Sequence, residues 1–277
     1  MKDVYTDHMT RLPSEVQRLN DQFDLMTENI GYILHPSVAL PSAPRIADIG
    51  TGTARFLLRL QPTYPDANLE GFDISSALFP PQSSLPSNVS LAELDMKQPF
   101  PEHMYGKYDL VHARMLVAAM LPGDWEPAVV NLARLLKPGG FLQWEECNFL
   151  NAEWQTDTPG ASVENTRRMG DAFRAVLRER ISYGWNTLPD HMRAAGLTSV
   201  VSDVSSSDKV PETRARLTQS IMNLIFTWAR VSIERGASES MFGDSLENLE
   251  KAVHDEITSG CYFKYNIHVV CARKASV

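Results

Sequence analysis

The sequence predicts an α/β fold built on an open sheet, and three neighbouring segments support this prediction. Residues 45–47 form a short apolar run typical of a strand, and residues 55–60 have the pattern of a helix. The segment ADIGTGTA, residues 47–54, joins them and carries Gly50 and Gly52. Glycines let backbone N–H groups approach a ligand closely, and the N-terminus of the following helix adds a partial positive charge. A strand, a glycine loop and a helix in this order are typical of a site for a nucleotide-like ligand.

The chemistry of this loop distinguishes between two classes of ligand. In the dinucleotide fingerprint G-x-G-x-x-G/A, the third small residue would fall at the position of Arg55. Asp48 stands two residues before the first glycine, where a carboxylate would repel a pyrophosphate but can accept hydrogen bonds from a cation. S-adenosylmethionine (SAM) carries an ammonium and a sulfonium group and no phosphate. The loop therefore favours SAM over NAD.

Ordered segments beyond the loop resemble the class I SAM-dependent methyltransferases, in particular the small-molecule enzymes and related proteins of fungal secondary metabolism. The resemblance extends roughly over residues 20–147 and rests on five pieces in the order that one ligand site requires. A late marker is the stretch LLKPGG, in which Pro-Gly-Gly closes a helix before a strand. The family often has glycine at the position of Ala54, a departure that would slightly loosen the packing of helix on strand. The candidate strands after the loop are 69–73, 89–95, 108–114 and 141–146.

The resemblance implies a Rossmann-like sheet of seven strands, the last of them antiparallel, with helices on both faces. Residues 44–277 would form the SAM-binding domain, with a helical insertion on the substrate side at 151–190, between strands five and six. Apolar residues at three- and four-residue steps predict that residues 1–43 are helical, and in many relatives this segment folds over the ligand as a lid. The remaining predicted elements are a helix at 162–180, strands at 197–204 and 262–272, and helices at 211–235 and 243–258.

The composition is that of an ordinary globular protein and argues against several classes of partner. The net charge is −8 and no run of Lys and Arg forms a stripe, so nucleic acid is not expected as a substrate. Residues 109–112 read DLVH and lack the Asn/Asp-Pro-Pro-aromatic box of enzymes that methylate bases and amide nitrogens. Neither the seven scattered histidines nor Cys147, Cys261 and Cys271 have the spacing of metal ligands, so no metal is predicted.

The sequence shows no targeting or membrane-spanning pattern. No apolar core of a signal peptide follows Met1. The longest apolar stretch, residues 217–233, is too short and too polar to cross a bilayer. We therefore expect a cytoplasmic protein without membrane insertion, a monomer or homodimer whose partner is a small-molecule substrate.

The resemblance assigns SAM to the loops at the carboxyl ends of the first strands, with S-adenosylhomocysteine (SAH) as the product. In the family, an acid that ends strand two holds the ribose hydroxyls, here Asp73, and an acid that ends strand three lies against the adenine, here Asp95. Each could instead be a solvated carboxylate at the end of a strand. The residues expected to bind the cofactor are Asp48, Gly50, Thr51, Gly52, Asp73, Ile74, Asp95, Met96, Ala113 and Arg114.

Two residues near the expected position of the methyl group are candidates for a general base. His112 follows strand four and could instead line the SAM pocket, and Glu146 follows strand five and could instead cap a helix. A base is needed only when the acceptor holds its proton, because the main requirements of methyl transfer are alignment and exclusion of water. The residues expected to bind the substrate are Tyr5 and His8 in the lid, with Met115, Phe149, Trp154 and Tyr183.

The sequence therefore predicts SAM-dependent methyl transfer to an oxygen or nitrogen of a small, largely apolar metabolite. One alternative is an enzyme of the same fold that catalyses a cyclisation or rearrangement and turns over without consuming SAM. The other is a regulatory or scaffold protein, which would form a stable complex with a protein partner. The acids Asp48, Asp73 and Asp95 indicate that SAM binding is retained, but they do not separate the three alternatives.

Overall fold

The computed structural model describes residues 13–237 and 245–276, and the strands in these ranges form one sheet. The strands are β1 (Arg45–Ile49), β2 (Asn68–Asp73), β3 (Val89–Glu93), β4 (Tyr108–Arg114), β5 (Leu136–Thr156), β6 (Leu197–Ser206) and β7 (Cys261–Lys274). The α-helices are α1 (Pro13–Ile30), α2 (Arg55–Leu60), α3 (Trp125–Leu135), α4 (Glu164–Ile181), α5 (Leu188–Ala194), α6 (Arg214–Glu234) and α7 (Leu246–Thr258).

The strand order across the sheet is β3-β2-β1-β4-β5-β7-β6. Strands β1 to β5 are parallel, whereas β7 lies between β5 and β6 and is antiparallel to both. Parallel pairs need crossover connections, which lay helices on the faces of the sheet and bury its strands. Accordingly, β1 and β4 are buried along most of their length. The predicted seven-stranded sheet with an antiparallel last strand and helices on both faces is confirmed.

Alternation along the strands assigns the helices to opposite faces of the sheet. On one face, Trp125 of α3 packs against Trp144 of β5 with ring centroids 5.5 Å apart. On the other, Phe23 of α1 meets Phe56 of α2 edge to face at 6.4 Å. A third apolar cluster joins α1, α6 and α7 to the ends of β5 and β7. Burial of each such large side chain contributes about 1.5–3 kcal/mol, so these clusters fix the helices around the strand ends.

Strands β5 and β7 continue beyond the carboxyl edge of the parallel strands as a two-stranded ribbon. Strand β4 ends opposite Glu145, whereas β5 stays paired with β7 as far as Thr156. A bulge interrupts the ribbon where β5 advances from Asn148 to Glu153 and its partner strand advances by only two residues. Helices α4 and α6 pack against the ribbon. The helices, the ribbon and the ends of the strands together enclose a space.

Some predicted element bounds are wrong because distant backbone segments determine them. Helix α2 and strand β4 have the predicted bounds, but β5 begins at Leu136, so that Pro138 lies in the strand and does not close a helix. A Cβ on Gly140 would lie 2.8 Å from Tyr108 O, which shows that the glycine permits close approach of β4. Strand β5 also takes in residues 151–156, which were expected to belong to the helical insertion. Strand β3 ends before Asp95, and β6 continues to Ser206.

Only part of the N-terminal region predicted as helix is helical in the described residues. Helix α1 ends at Ile30, and residues 31–43 form a loop. Gly31 has a φ of +97°, a conformation with which glycine commonly ends a helix. The loop is bound to the sheet through Gln143, whose Oε1 accepts from His35 N at 2.8 Å and whose Nε2 donates to Ile33 O at 2.9 Å.

Candidate cofactor and substrate site

The glycine loop between β1 and α2 is fixed by hydrogen bonds to the end of β2. Gly50 N and Thr51 N donate to Phe72 O at 2.7 and 3.0 Å, and Gly52 N donates to Asp73 Oδ2 at 3.0 Å. Gly50 and Gly52 have φ of +70° and +51°, a region in which residues with a side chain are strained. A Cβ on Gly52 would meet no atom within 4 Å, so this residue faces open space. The loop thus presents bare backbone to the neighbouring cavity.

The main cavity, of about 230 Å³, lies beside the glycine loop where the parallel strands end. Asp73 and Asp95 belong to its wall. Besides the bond from the loop, Asp73 accepts one from Ser75 N at 3.3 Å, and Asp95 Oδ1 accepts one from Lys97 N at 3.0 Å. These backbone donors hold both carboxylates in place at one end of the cavity, which we call the cofactor half.

Most of the predicted cofactor residues line this cavity. Those in its wall are Gly50, Gly52, Asp73, Ile74, Asp95, Met96 and Arg114. Asp48 and Thr51 border a smaller cavity of about 90 Å³, which shares the two loop glycines with the main one. Ala113 lies in neither wall, because it is fully buried between β1 and β5. The predicted role of Ala113 in direct contact with a cofactor is therefore not supported.

The other end of the main cavity is an apolar chamber between α4, α6 and the ribbon. Phe149, in the bulge of β5, lies 6.2 Å from Phe263 of β7 with the two rings nearly parallel. The apolar side chains that these elements contribute to the wall are Phe149, Phe173, Leu177, Ile181, Ile221, Leu224, Ile225 and Phe263. The chamber is thus suited to a ligand with a largely apolar surface.

The predicted substrate residues fall in different places. Met115 and Phe149 line the main cavity. Trp154 does not line it but packs behind the wall, with its ring centroid 4.4 Å from that of Phe263. Tyr183 is also outside the wall and is 40% exposed, so these two predictions are not supported. The last two predicted residues, Tyr5 and His8, lie outside the described residues.

A buried charged network lies beneath the glycine loop. His112 Nδ1 is 2.7 Å from Asp48 Oδ1, Nε2 is 3.5 Å from Glu145 Oε1, and the imidazole stacks on Phe56 with 3.5 Å between ring centroids. The other oxygen of Asp48 accepts from Thr51 Oγ1 at 2.7 Å. Burial, the largest influence, lowers the pKa of His112, but the hydrogen bonds and charges of Asp48 and Glu145 outweigh it, so that this pKa is raised. The imidazole thus lies between two carboxylates, and Asp48 supports the loop from below.

Both candidates for a general base are buried outside the wall of the main cavity. His112 is 1% exposed, and carboxylates face both of its ring nitrogens. Glu146 is fully buried, and its Oε1 accepts from Leu116 N at 2.8 Å and from Trp144 Nε1 at 2.9 Å. Burial raises the pKa of Glu146 to about 7. The geometry does not favour the predicted catalytic roles: His112 supports the glycine loop, and Glu146 anchors the segment that follows β4.

Arg114 connects the end of β4 to helix α1. Its Nη1 donates to Phe23 O at 3.2 Å and to Thr27 Oγ1 at 3.0 Å, and its guanidinium lies 4.1 Å from the centre of the Phe23 ring. The same guanidinium forms an ion pair with Glu145. These partners occupy the side chain that we expected to contact the cofactor, although it remains part of the cavity wall.

Helix α1 contributes residues to the cavity wall that the sequence analysis missed. Arg18, Leu19 and Gln22 all line the main cavity. Arg18 and Gln22 are 9% and 8% exposed, although both are polar residues of a helix on the outside of the sheet. A signal was present in the sequence, because Arg18 adjoins the apolar stripe and stands three residues after Glu15, a spacing at which helical side chains of opposite charge can pair.

The described ranges offer no metal site and no membrane span. No group of three or more His, Cys, Asp or Glu side chains within them is arranged to hold a metal ion. None of the helices in those ranges combines the length and the apolar character needed to cross a lipid bilayer.

Comparison with known proteins shows which proteins the chain resembles. Residues 47–142 match the family described as a methyltransferase domain. Methyltransferase grgD of Penicillium sp is 38% identical over 176 residues, which cover 60% of this chain and 59% of that protein. N-methyltransferase tcpN of Claviceps purpurea is 29% identical over 269 residues, 90% of each chain. By these matches, the chain resembles the class I SAM-dependent methyltransferases. It is similar, in particular, to fungal methyltransferases, and it spans little more than half the length of grgD.

A solved structure supports the fold of the chain. A chain from the complex between the Haloferax volcanii Trm112 methyltransferase activator and a methyltransferase aligns over 99% of both chains with a TM-score of 0.55. Its sequence identity is 15%, so the likeness concerns the fold alone.

The cofactor of the family that the chain resembles is SAM, and the residues of the cofactor half fit this group. Gly52 leaves space that a Cβ would fill, and Asp73 and Asp95 offer hydrogen-bond acceptors toward hydroxyl and amino groups. Ile74 and Met96 add apolar surface for a flat ring. Arg55, the basic residue that follows the loop, forms an ion pair with Asp24.

Proposed function

We propose that the protein is a methyltransferase that transfers the methyl group of SAM to an oxygen or nitrogen of a small, largely apolar metabolite. The observation that carries this proposal is the continuity of the main cavity, which has the glycine loop and two carboxylates at one end and the apolar chamber at the other. When bound, SAM supplies a methyl group that is already electrophilic. The protein then has to align the acceptor with that group and exclude water.

Asp73 and Asp95 are proposed to hold the adenosine part of SAM. Asp73 would accept hydrogen bonds from the ribose hydroxyls, and Asp95 would lie against the adenine. Backbone donors of Gly52, Ser75 and Lys97 already orient the two carboxylates, so little side-chain freedom would be lost on binding. With the adenosine fixed at β2 and β3, the rest of SAM would extend toward β1, β4 and the chamber.

Nitrogen is the acceptor that we favour. In the described wall of the main cavity, the carboxylates Asp73 and Asp95 both belong to the cofactor half, and no histidine, cysteine or tyrosine lines the chamber. A neutral amine has a free lone pair and needs no general base, whereas an alcohol does. The similar protein tcpN is named an N-methyltransferase, which supports the same choice.

The N-terminal region, residues 1–43, is proposed to act as a lid. Its described helix α1 contributes three residues to the cavity wall and is bonded to the strand ends through Arg114. Such a cover would exclude water from the methyl group during transfer.

Two measurements in sequence test the proposed function. Calorimetric titration with SAM and with SAH is expected to give dissociation constants on the order of micromolar. SAM labelled in its methyl group is then incubated with the protein and a fungal extract of apolar metabolites, and label is expected in a small molecule. No binding of either compound would overturn the assignment of the site. Loss of an extract component without consumption of SAM would overturn methyl transfer in favour of a cyclisation or rearrangement.

A further inference from the structure

The guanidinium of Arg18 has a buried hydrogen-bond donor that no protein atom accepts. Its Nε donates to Glu15 Oε2 at 2.8 Å, and its Nη2 lies 2.8 Å from the same oxygen. Its Nη1 is buried and has no hydrogen-bond partner among the described residues. The side chain as a whole is 8% exposed and lines the main cavity. A buried unpaired donor on a charged group is costly, so a ligand atom at this position would be stabilising.

The other cationic side chains in the wall of the main cavity have partners for their charged groups. Arg114 is held by Glu145 and by α1. Lys97 Nζ donates to Ala119 O at 2.8 Å and lies 2.6 Å from an oxygen of Asp124. The two terminal nitrogens of Arg174 bond to the carbonyl oxygen of Ala152 and to a carboxylate one turn earlier in α4. Arg18 therefore combines a positive charge in this wall with a donor that remains available.

The strand order shows which end of SAM would meet α1. Asp95 and Asp73 follow β3 and β2, and the sheet continues through β1 to β4. An elongated ligand with its adenosine at the first two strands has its opposite end near β1 and β4, under α1. Leu19 and Gln22 of α1 border both the main cavity and the smaller cavity under the glycine loop. The group at that end of SAM is an amino acid with a free carboxylate.

We propose that Arg18 binds the carboxylate of the methionine half of SAM through Nη1, with its other nitrogens retained on Glu15. The guanidinium would then bridge two carboxylates, a role that its planar fork of donors permits. This inference rests on the proposed function, because it requires SAM in the main cavity. It makes α1 part of the cofactor site, so the lid would close on SAM itself.

The test compares two ligands that differ only in the carboxylate. SAH and its decarboxylated analogue, which keeps the amine, are titrated by calorimetry into the wild type and into Arg18→Met. Since this variant leaves Glu15 buried without its partner, the double variant Glu15→Gln/Arg18→Met is measured as well. Arg216→Met is the control, because Arg216 also faces an acidic residue of α1 at 3.7 Å but is 64% exposed and outside the cavity wall.

We expect both Arg18 variants to bind SAH about ten- to a hundredfold more weakly than the wild type, the range of a lost charge-assisted hydrogen bond. Their affinity for the decarboxylated analogue should stay within about twofold of the wild type. Equal losses for both ligands in both variants would overturn the proposal and make Arg18 a structural residue of α1. Unchanged SAH affinity would overturn it too. If the wild type bound neither ligand, the proposed function itself would fail, a result distinct from these.

Discussion

At the scale of single residues, the direction of each acidic side chain determines its role more than its position at a strand end. Asp48 and Asp73 both end or nearly end a strand, yet Asp48 is engaged by His112 and Thr51, whereas Asp73 borders the main cavity. Glu146 is buried in the same region, and its Oε2 has no hydrogen-bond partner among the described residues. These acids therefore allow separate predictions for binding and for stability.

Asp73→Ala is expected to weaken SAM binding by about 1.5–3 kcal/mol, because it removes acceptors for the ribose hydroxyls. Calorimetric titration of the wild type and the variant measures this difference. Asp66→Ala serves as the control, since Asp66 is exposed in the turn before β2. An unchanged dissociation constant for Asp73→Ala would contradict the assignment of this carboxylate to the cofactor.

Glu146→Gln is expected to stabilise the protein at high pH. The pKa of Glu146 rises from 4.5 to about 7 on folding, so its protonated form is favoured in the folded state. The stability that the protonated carboxyl contributes is fully present below pH 4.5 and is lost as the pH rises through 7. The variant should therefore gain roughly 1–3 kcal/mol over the wild type between pH 5 and pH 8. Urea unfolding at both pH values measures the gain, with Glu126→Gln on the exposed side of α3 as the control. A difference in unfolding free energy between the variant and the wild type that did not change with pH would contradict this prediction.

At the scale of elements, α4 packs closely against the ribbon because Gly170 has no side chain. Gly170 lies in the interior of α4, where glycine costs about 1 kcal/mol relative to alanine. A Cβ at this position would lie 2.2 Å from Trp154 Cζ2. The glycine thus lets the helix approach the ribbon closely, and this approach sets one wall of the apolar chamber.

Gly170→Ala is expected to destabilise the protein by roughly 1–3 kcal/mol despite the better helix propensity of alanine, because the added methyl group overpacks the contact with Trp154. The double variant Gly170→Ala/Trp154→Leu should recover the ordinary helical gain, since the smaller side chain leaves room. Chemical denaturation of the two variants and of Trp154→Leu alone gives the coupling between the sites. A stabilised single variant would show that the ring moves aside without penalty.

At the scale of the whole molecule, the cavity joins elements that are distant in the chain. Residues from α1, β1, β2, β4, the segment that follows β3, α4, α6 and the ribbon all contribute to its wall. A ligand that contacts all these elements binds only to the folded state, so its binding free energy adds to the free energy of unfolding.

SAH at a hundredfold excess over its dissociation constant is expected to add about 2.7 kcal/mol to the free energy of unfolding. For a chain of this size, that corresponds to a rise in Tm of roughly 5–10 °C. Differential scanning calorimetry across a series of SAH concentrations measures the rise. The Asp73→Ala variant is the matched control, because its weaker binding should give a smaller rise at the same SAH concentrations. A Tm that did not depend on SAH would contradict binding to the folded state.

Local patterns in the sequence were sufficient for the sheet and for most of the cofactor half. The glycine loop, α2 and β4 could be predicted from the sequence, because turn residues and apolar runs are recognisable from a few neighbouring residues. Strand β5 does not, because its length depends on pairing with β7 more than a hundred residues later. The surroundings of His112 could not be predicted for a similar reason, because the carboxylates on either side of it come from two other strands. Contributions from α1 were missed because the contact of a helix with strand ends is not encoded in its periodicity.

The bulge in β5 has a consequence for how proteins of this architecture can diversify. The residues on both sides of it are fixed in register by the ladder with β7, but those within it, Phe149 among them, have no such partners. Inserting or deleting a residue there leaves the pairing on either side intact. A change of loop length at this one point would reshape the apolar chamber, while the strands that carry the glycine loop would keep their pairing.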